Sequence, residues 1–174
     1  VAIPLRGASL AGLAAAFGGE VRGRAALDVG RFVPIEEARA GDLAPFVRGS
    51  LRGEAARALA RGAALLVTPE LDAQARTDGA RGSVWVHSHA AWAMAKVLAA
   101  HAVVTDDLAT LAPDAVLGAH VSLAPRVVVG ARVTIGASSV IGSPGFGWAT
   151  GPGGEVVRSW GGSSSRPTWR SGRS

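Results

Sequence analysis

The sequence predicts an α/β domain over residues 1–100, followed by a truncated left-handed parallel β-helix over 111–157. Three observations predict this. Helical and strand patterns alternate along the first hundred residues. A strict period of six then runs from Leu111 to Phe146. At Arg158 the periodicity stops, and the rest of the 174-residue chain, 158–174, reads as an irregular tail.

In the first part, Ser9 is placed to cap a helix through Leu10, Leu13, Ala14 and Phe17, which Gly18-Gly19 stops. Glu20 to Val33 reads as short strands turning at Gly23 and Gly30. Ile35 to Ala40 is a brief helix, ended by Gly41-Asp42. Gly53 to Arg61 is a longer one. The apolar run Ala63 to Val67, between Gly62 and Pro69, is a buried strand. Ser83 to Val86 is a second strand, and Ala90 to Ala100 a helix. Residues 101–110 link this domain to the repeats.

In the repeats, Leu111, Leu117, Leu123, Val129, Ile135 and Ile141 recur every sixth residue. Ala112, Gly118, Ala124, Gly130, Gly136 and Gly142 follow them. Neither a helix nor a simple strand has that period. Hexapeptide repeats do, with three hexads closing one triangular coil. The aliphatic is expected inside the coil. The small residue is expected at the corner, where glycine tolerates an unusual φ.

Composition narrows the function. There is no cysteine, so disulfides, thiolate zinc sites and a cysteine nucleophile are excluded. No apolar run is long enough to span a membrane, and no secretory signal opens the chain. A cytoplasmic protein is expected. The net charge is +5, but Lys96 is the single lysine and no basic stripe is interleaved with aromatics. That bias fits a GC-rich genome better than a nucleic-acid partner.

Few residues suggest chemistry. His87 and His89 flank Ser88 after a strand, without further ligands for a metal. Their plainer reading is a polar strand-to-helix loop with Ser88 or His89 as cap. His120 takes an outward corner of a hexad. Outward histidines on such coils can serve as acyl-transfer bases, although a solvated residue is the simpler reading. No Walker or dinucleotide fingerprint occurs. Gly145-Phe146-Gly147-Trp148 sets two aromatics among glycines, either as a platform at a ligand groove or as a plug for the coil.

Three stretches resemble the UDP-3-O-(3-hydroxyacyl)glucosamine N-acyltransferases of lipid A synthesis. They are Ser9 to Gly23; Ile35 to Leu43 with the apolar strand and Pro69; and Val140 to Ala149, which is similar to that family's Ile-Gly-x-x-Gly-Phe-Gly-aromatic-Ala loop. The resemblance runs to about Val157. It implies a uridine-binding domain, a left-handed β-helix and a homotrimer. It also implies transfer of a 3-hydroxyacyl chain from acyl carrier protein to the 2-amine of a UDP-glucosamine substrate. Neither cofactor nor metal is implied. Phe46, Gly145, Phe146 and Gly147 are the substrate-binding positions it points to.

The chain departs from the family in places. Pro45 stands where an aromatic stacks on uracil, leaving Phe46 to take over, and Leu51 replaces the second aromatic. Each lost stack is worth roughly 1–3 kcal/mol. His89-Ala90 replaces an Asn-Pro pair. The family's catalytic histidine lies on a later coil, and none of His87, His89, His101 or His120 stands in its motif.

Back-translated with Val157 to Trp160 as GTC CGC AGC TGG and G at every free third position, the tail restores the family pattern when a single C is inserted after the Val157 codon. It then reads Val-Pro-Gln-Leu-Gly-Gly followed by a Val-rich β-helix pattern. Residues 158–174 are therefore read as frameshifted, and the chain as inactive alone. Two other functions fit the hexads: another hexapeptide-repeat sugar acyltransferase, or a non-catalytic β-helix module for binding or scaffolding.

Overall fold

The computed structural model describes residues 2–75, 81–103, 108–125, 127–142 and 147–159. The chain forms two compact units, one of residues 1–103 with 146–160, the other of 104–145 with 161–174.

The first unit is built on a six-stranded sheet. Its elements are β1 (Ile3–Ser9), α1 (Leu10–Phe17), β2 (Glu20–Arg22), β3 (Asp28–Phe32), β4 (Asp42–Phe46), α2 (Arg52–Ala60), β5 (Ala64–Val67), α3 (Pro69–Ala75), β6 (Ser83–Val86) and α4 (Ala90–His101). Short 3-10 turns occupy Ile35–Glu37 and Gly49–Leu51. The strand order is β1-β3-β4-β5-β6-β2. β3 to β6 run parallel, and β1 and β2 close the edges antiparallel.

Each face of the sheet carries its own core. Leu10 and Leu13 of α1 and Trp92 and Val97 of α4 meet Leu43, Leu66 and Trp85 on one face. Ala55, Ala58 and Leu59 of α2 and Ala75 of α3 meet Ala44, Phe46, Leu65 and Val67 on the other. All four residues of β5 are buried, so its continuous apolar run follows from having helices on both faces. Burying each leucine there contributes about 1.5–3 kcal/mol before entropy is counted.

Local chemistry sets the element ends. The Ser9 hydroxyl accepts the Gly12 N–H at 3.1 Å, and Gly18 closes α1 at φ 87°. Gly19, at φ 90°, lies where a Cβ would fall 2.6 Å from the Val86 carbonyl oxygen. Only glycine lets the chain pass so close to β6. Asp42 is buried, accepts two hydrogen bonds from Arg31 at 2.8 and 2.9 Å, and accepts the Arg39 N–H at 3.0 Å. These bonds raise the pKa of Arg31.

Three expectations are revised, and one strand the sequence reading did not assign, β4, is found. Gly30 is an interior residue of β3, where Val29 and Phe32 are buried, and does not make a turn. The brief helix shrinks to the turn Ile35–Glu37. Pro45 sits inside β4, because β3 pairs only as far as Leu43 and no sheet hydrogen bond on that side is lost. The sequence places residues 147–157 with the coils and their Gly-Phe-Gly loop and 158–159 in the tail. They instead form an antiparallel hairpin of the first unit, β13 (Gly147–Thr150) and β14 (Val156–Ser159), with Ala149 and Val157 packed into the α1/α4 core. Those two residues lie opposite each other, so one face of the hairpin is apolar.

Among its described residues the second unit contains six two-residue strands: β7 (Thr110–Leu111), β8 (Val116–Leu117), β9 (Ser122–Leu123), β10 (Val128–Val129), β11 (Thr134–Ile135) and β12 (Val140–Ile141). They pair in parallel as Thr110 with Val128, Val116 with Thr134 and Ser122 with Val140, a constant offset of eighteen residues. Of the six repeat aliphatics expected inside, Val129 and Ile135 are buried and Leu123 and Ile141 half-buried. Leu111 and Leu117 are exposed, because the first turn has no neighbouring turn on its far side among the described residues. Val128 and Val140, each before an aliphatic, are exposed.

Glycine's part in these turns differs from the expectation. Among the small residues that follow the aliphatics, Gly142 alone of the described ones has the expected positive φ (83°); on three other hexads it falls two residues later, on His120 (58°), Arg132 (57°) and Ser138 (61°). Gly118 is instead needed for room, since a Cβ there would overlap the peptide nitrogen of Ala137 on the following turn.

Candidate functional site

In parallel sheets, loops at the carboxyl ends of the strands gather chemistry-bearing groups. Here those loops are Val47 to Leu51 after β4, Thr68 after β5 and His87 to His89 after β6. The helices that follow diverge, α3 onto one face of the sheet and α4 onto the other. Val47, Arg48, Gly49, Ser50 and Ser88 are exposed. Gly49 abuts α3, because a Cβ on it would lie 2.8 Å from the Gln74 side-chain oxygen.

Thr68 opens α3, its carbonyl accepting the N–H groups of Leu71 and Asp72. Its side chain hydrogen-bonds the Glu70 carboxylate, which together with the Glu70 backbone N–H lowers that carboxyl's pKa.

His87 is buried and committed. Its Nδ1 accepts the backbone N–H of His89 at 2.9 Å, so Nε2 carries the proton and donates to the Phe17 carbonyl at 3.1 Å. The ring stacks on Trp92, with centroids 5.7 Å apart. Both nitrogens are used, so His87 offers nothing to a metal or substrate. The expected cap by Ser88 or His89 is not made: His89 stands at the N-cap position of α4 without a side-chain cap bond, and His87 instead accepts the His89 N–H.

His89 is different. Its Nδ1 lies 2.9 Å from the Thr150 carbonyl of the hairpin, and a carbonyl can only accept, so Nδ1 donates. In the neutral ring the lone pair is then on Nε2. An imidazole oriented through Nδ1 by a backbone carbonyl can act through Nε2 as an acceptor or base. Trp92, stacked on His87, is 7% exposed, and its indole N–H finds no hydrogen-bond partner among the described residues. Lys96 Nζ lies 5.7 Å from that ring's centroid.

The expected site residues scatter. Phe46 is 0% exposed in the α2/α3 core, which removes it as an open stacking surface. Its burial follows from strand alternation, which turns Phe46 to the same face as Ala44. Pro45 and Leu51 are half-buried. Gly145 and Phe146 lie outside the described residues. Gly147 begins β13, paired with Ser159. His101 packs edge-on against Phe17, and His120 is an exposed corner of the second unit. Sequence reading missed Thr68 and Thr150, because one acts from a loop through its hydroxyl and the other through its backbone. The Pro69 start signal could have exposed the first.

Among the described residues, no group of three or more His, Asp or Glu side chains could hold a metal ion. No described helix is long and apolar enough to cross a membrane. The chain matches no protein-family model and no curated protein.

Proposed function

We propose that this chain carries the sugar-nucleotide-recognition unit and first β-helix turns of a lipid A-type N-acyltransferase. The observation that carries the reading is the eighteen-residue strand offset in the second unit. It equals three of the hexads read from Leu111 onward, as a left-handed parallel β-helix requires. A layered α/β unit precedes it in the chain, as in the resembled family.

In this reading the UDP-glucosamine substrate lies against the loops at the carboxyl ends of β4, β5 and β6. The acyl chain arrives on acyl carrier protein, and three copies assemble. Catalysis of N-acylation needs a base for the attacking amine. None of the four histidines stands in the family's motif for that base, so this chain supplies recognition and scaffold.

Calorimetry with UDP-N-acetylglucosamine should show saturable binding, and incubation with hydroxyacyl carrier protein and the amino-sugar nucleotide should show no transfer. Absence of heat at millimolar nucleotide would sink the recognition claim, and measurable transfer would overturn the assignment of a non-catalytic role. Burial of Phe46 favours a second reading, a β-helix scaffold that binds no nucleotide.

A further inference from the structure

Three hydrogen bonds in series join the end of α1 to the hairpin β13–β14. The His87 ring donates through Nε2 to the Phe17 carbonyl at 3.1 Å. Its Nδ1 accepts the His89 N–H at 2.9 Å. The His89 ring then donates through Nδ1 to the Thr150 carbonyl at 2.9 Å. The two histidines answer acid differently. A second proton on His89 goes to Nε2 and breaks no bond in the series. A second proton on His87 can go only to Nδ1, where it meets the His89 N–H. His87 is buried, so donor then faces donor away from water, and the bond that holds the start of α4 is lost.

The elements around the ring do not hold that charge. α1 and β6 carry no titratable side chain. Glu20 of β2 and Asp72 of α3 are bonded to Arg22, Glu70 to Thr68, and Glu155 of the hairpin to the Gly153 N–H. α4 brings Lys96 over the Trp92 ring, His89 with its ring 6.3 Å from that of His87, and His101 against Phe17. Stacking on Trp92 attracts a charged imidazole, but it restores no acceptor for the His89 N–H. The docked hairpin also has little to spare. A Cβ on Gly151 would fall 2.5 Å from the Trp92 indole nitrogen, whose N–H finds no partner among the described residues. A buried donor left unpaired penalises docking.

We propose that His87 and His89 form an acid-sensitive latch: a proton on His87 Nδ1 frees the start of α4 and releases the hairpin β13–β14 while the sheet stays folded. A histidine in open chain takes that proton near about pH 6.5. The open state therefore binds the extra proton, so the latch is whole above that pH and weakens below it. It stands on the hydrogen-bond series alone and does not depend on the acyltransferase reading.

Amide hydrogen exchange of the full chain between about pH 7.5 and about pH 5 tests this, read as protection factors so that the chemical pH dependence of exchange cancels. Protection over residues 89–92 and 147–159 should fall about tenfold per pH unit below the onset, as one linked proton requires, while β5 stays unchanged. Long-range nitrogen-15 spectra of the imidazoles should show His87 Nδ1 gaining its proton with the same midpoint. His87→Asn offers the His89 N–H an acceptor that does not titrate, so the hairpin's protection should no longer vary with pH. Flat protection in wild type over this range overturns the proposal, as does a His87 ring that charges while the hairpin stays protected. A pH dependence that survives in His87→Asn, with wild-type circular dichroism at neutral pH, also overturns it by assigning the effect to another group. Should His87→Asn fail to fold, the wild-type titration decides alone.

Discussion

The His89 imidazole donates through Nδ1 to the Thr150 carbonyl at 2.9 Å and so ties the start of α4 to the hairpin β13–β14. A two-stranded hairpin is marginal by itself, and this one is held by that bond and by Ala149 and Val157 in the core. His89→Ala is expected to cost about 0.5–1.5 kcal/mol. Hydrogen exchange should speed up over residues 147–159 and stay unchanged in β5. Equal acceleration throughout the first unit would show that the bond does not act locally.

The Thr68–Glu70 contact predicts a pH effect. Hydrogen bonds from the Thr68 side chain and the Glu70 backbone lower the folded pKa of Glu70 below its ordinary value. A lowered folded pKa stabilises the fold above the unfolded pKa, and that contribution fades as pH falls through the folded one. Thr68→Val should therefore lessen stability near neutral pH and have little effect in strong acid. Carbon-detected titration of Glu70 checks it, with the midpoint moving up in the variant. An unchanged midpoint would refute the contact's role.

Two glycines of the hexads should respond oppositely to alanine. Gly118→Ala drives a methyl into the Ala137 peptide and should destabilise the second unit by about 1–3 kcal/mol. Gly136→Ala meets open space among the described residues and should stabilise by about 0.4–1 kcal/mol, by restricting the unfolded chain. Urea denaturation of both variants decides this, and equal losses would contradict the turn-to-turn contact.

Asp42 is the buried acceptor for Arg31 and for the Arg39 N–H. Asp42→Ala should cost about 1–3 kcal/mol, chiefly through the Arg39 N–H left without its acceptor. The half-exposed Arg31 can return to water, which limits the loss. Arg31→Ala should cost less than Asp42→Ala in thermal unfolding. The reverse order would place the weight on the ion pair instead.

Local signals were legible where one residue decided the outcome. Ser9 and Gly18 bound α1 because a hydroxyl and a positive φ act within one turn. The hexads were legible because their period matches neither helix nor simple strand. β4 was missed because Pro45 argues against a strand until the neighbouring strand is known to stop short. The short α3 was hidden behind Pro69, which was read only as the end of β5. The hairpin was assigned to the coils because the packing of Ala149 and Val157 is tertiary information. The family resemblance makes Phe46 a stacking surface in place of Pro45, but strand alternation gives it to the core. The φ explanation of the corner glycines holds at Gly142, whereas Gly118 answers to the next turn's backbone.

Nitrogen-15 amide chemical-shift mapping during titration with UDP-N-acetylglucosamine tests the central claim most directly. The account predicts saturable shifts confined to Val47 through Leu51, Thr68 through Glu70 and Ser88 through Ala91, the loops that follow β4, β5 and β6. Saturating shifts elsewhere, or no shifts at millimolar nucleotide, would contradict it.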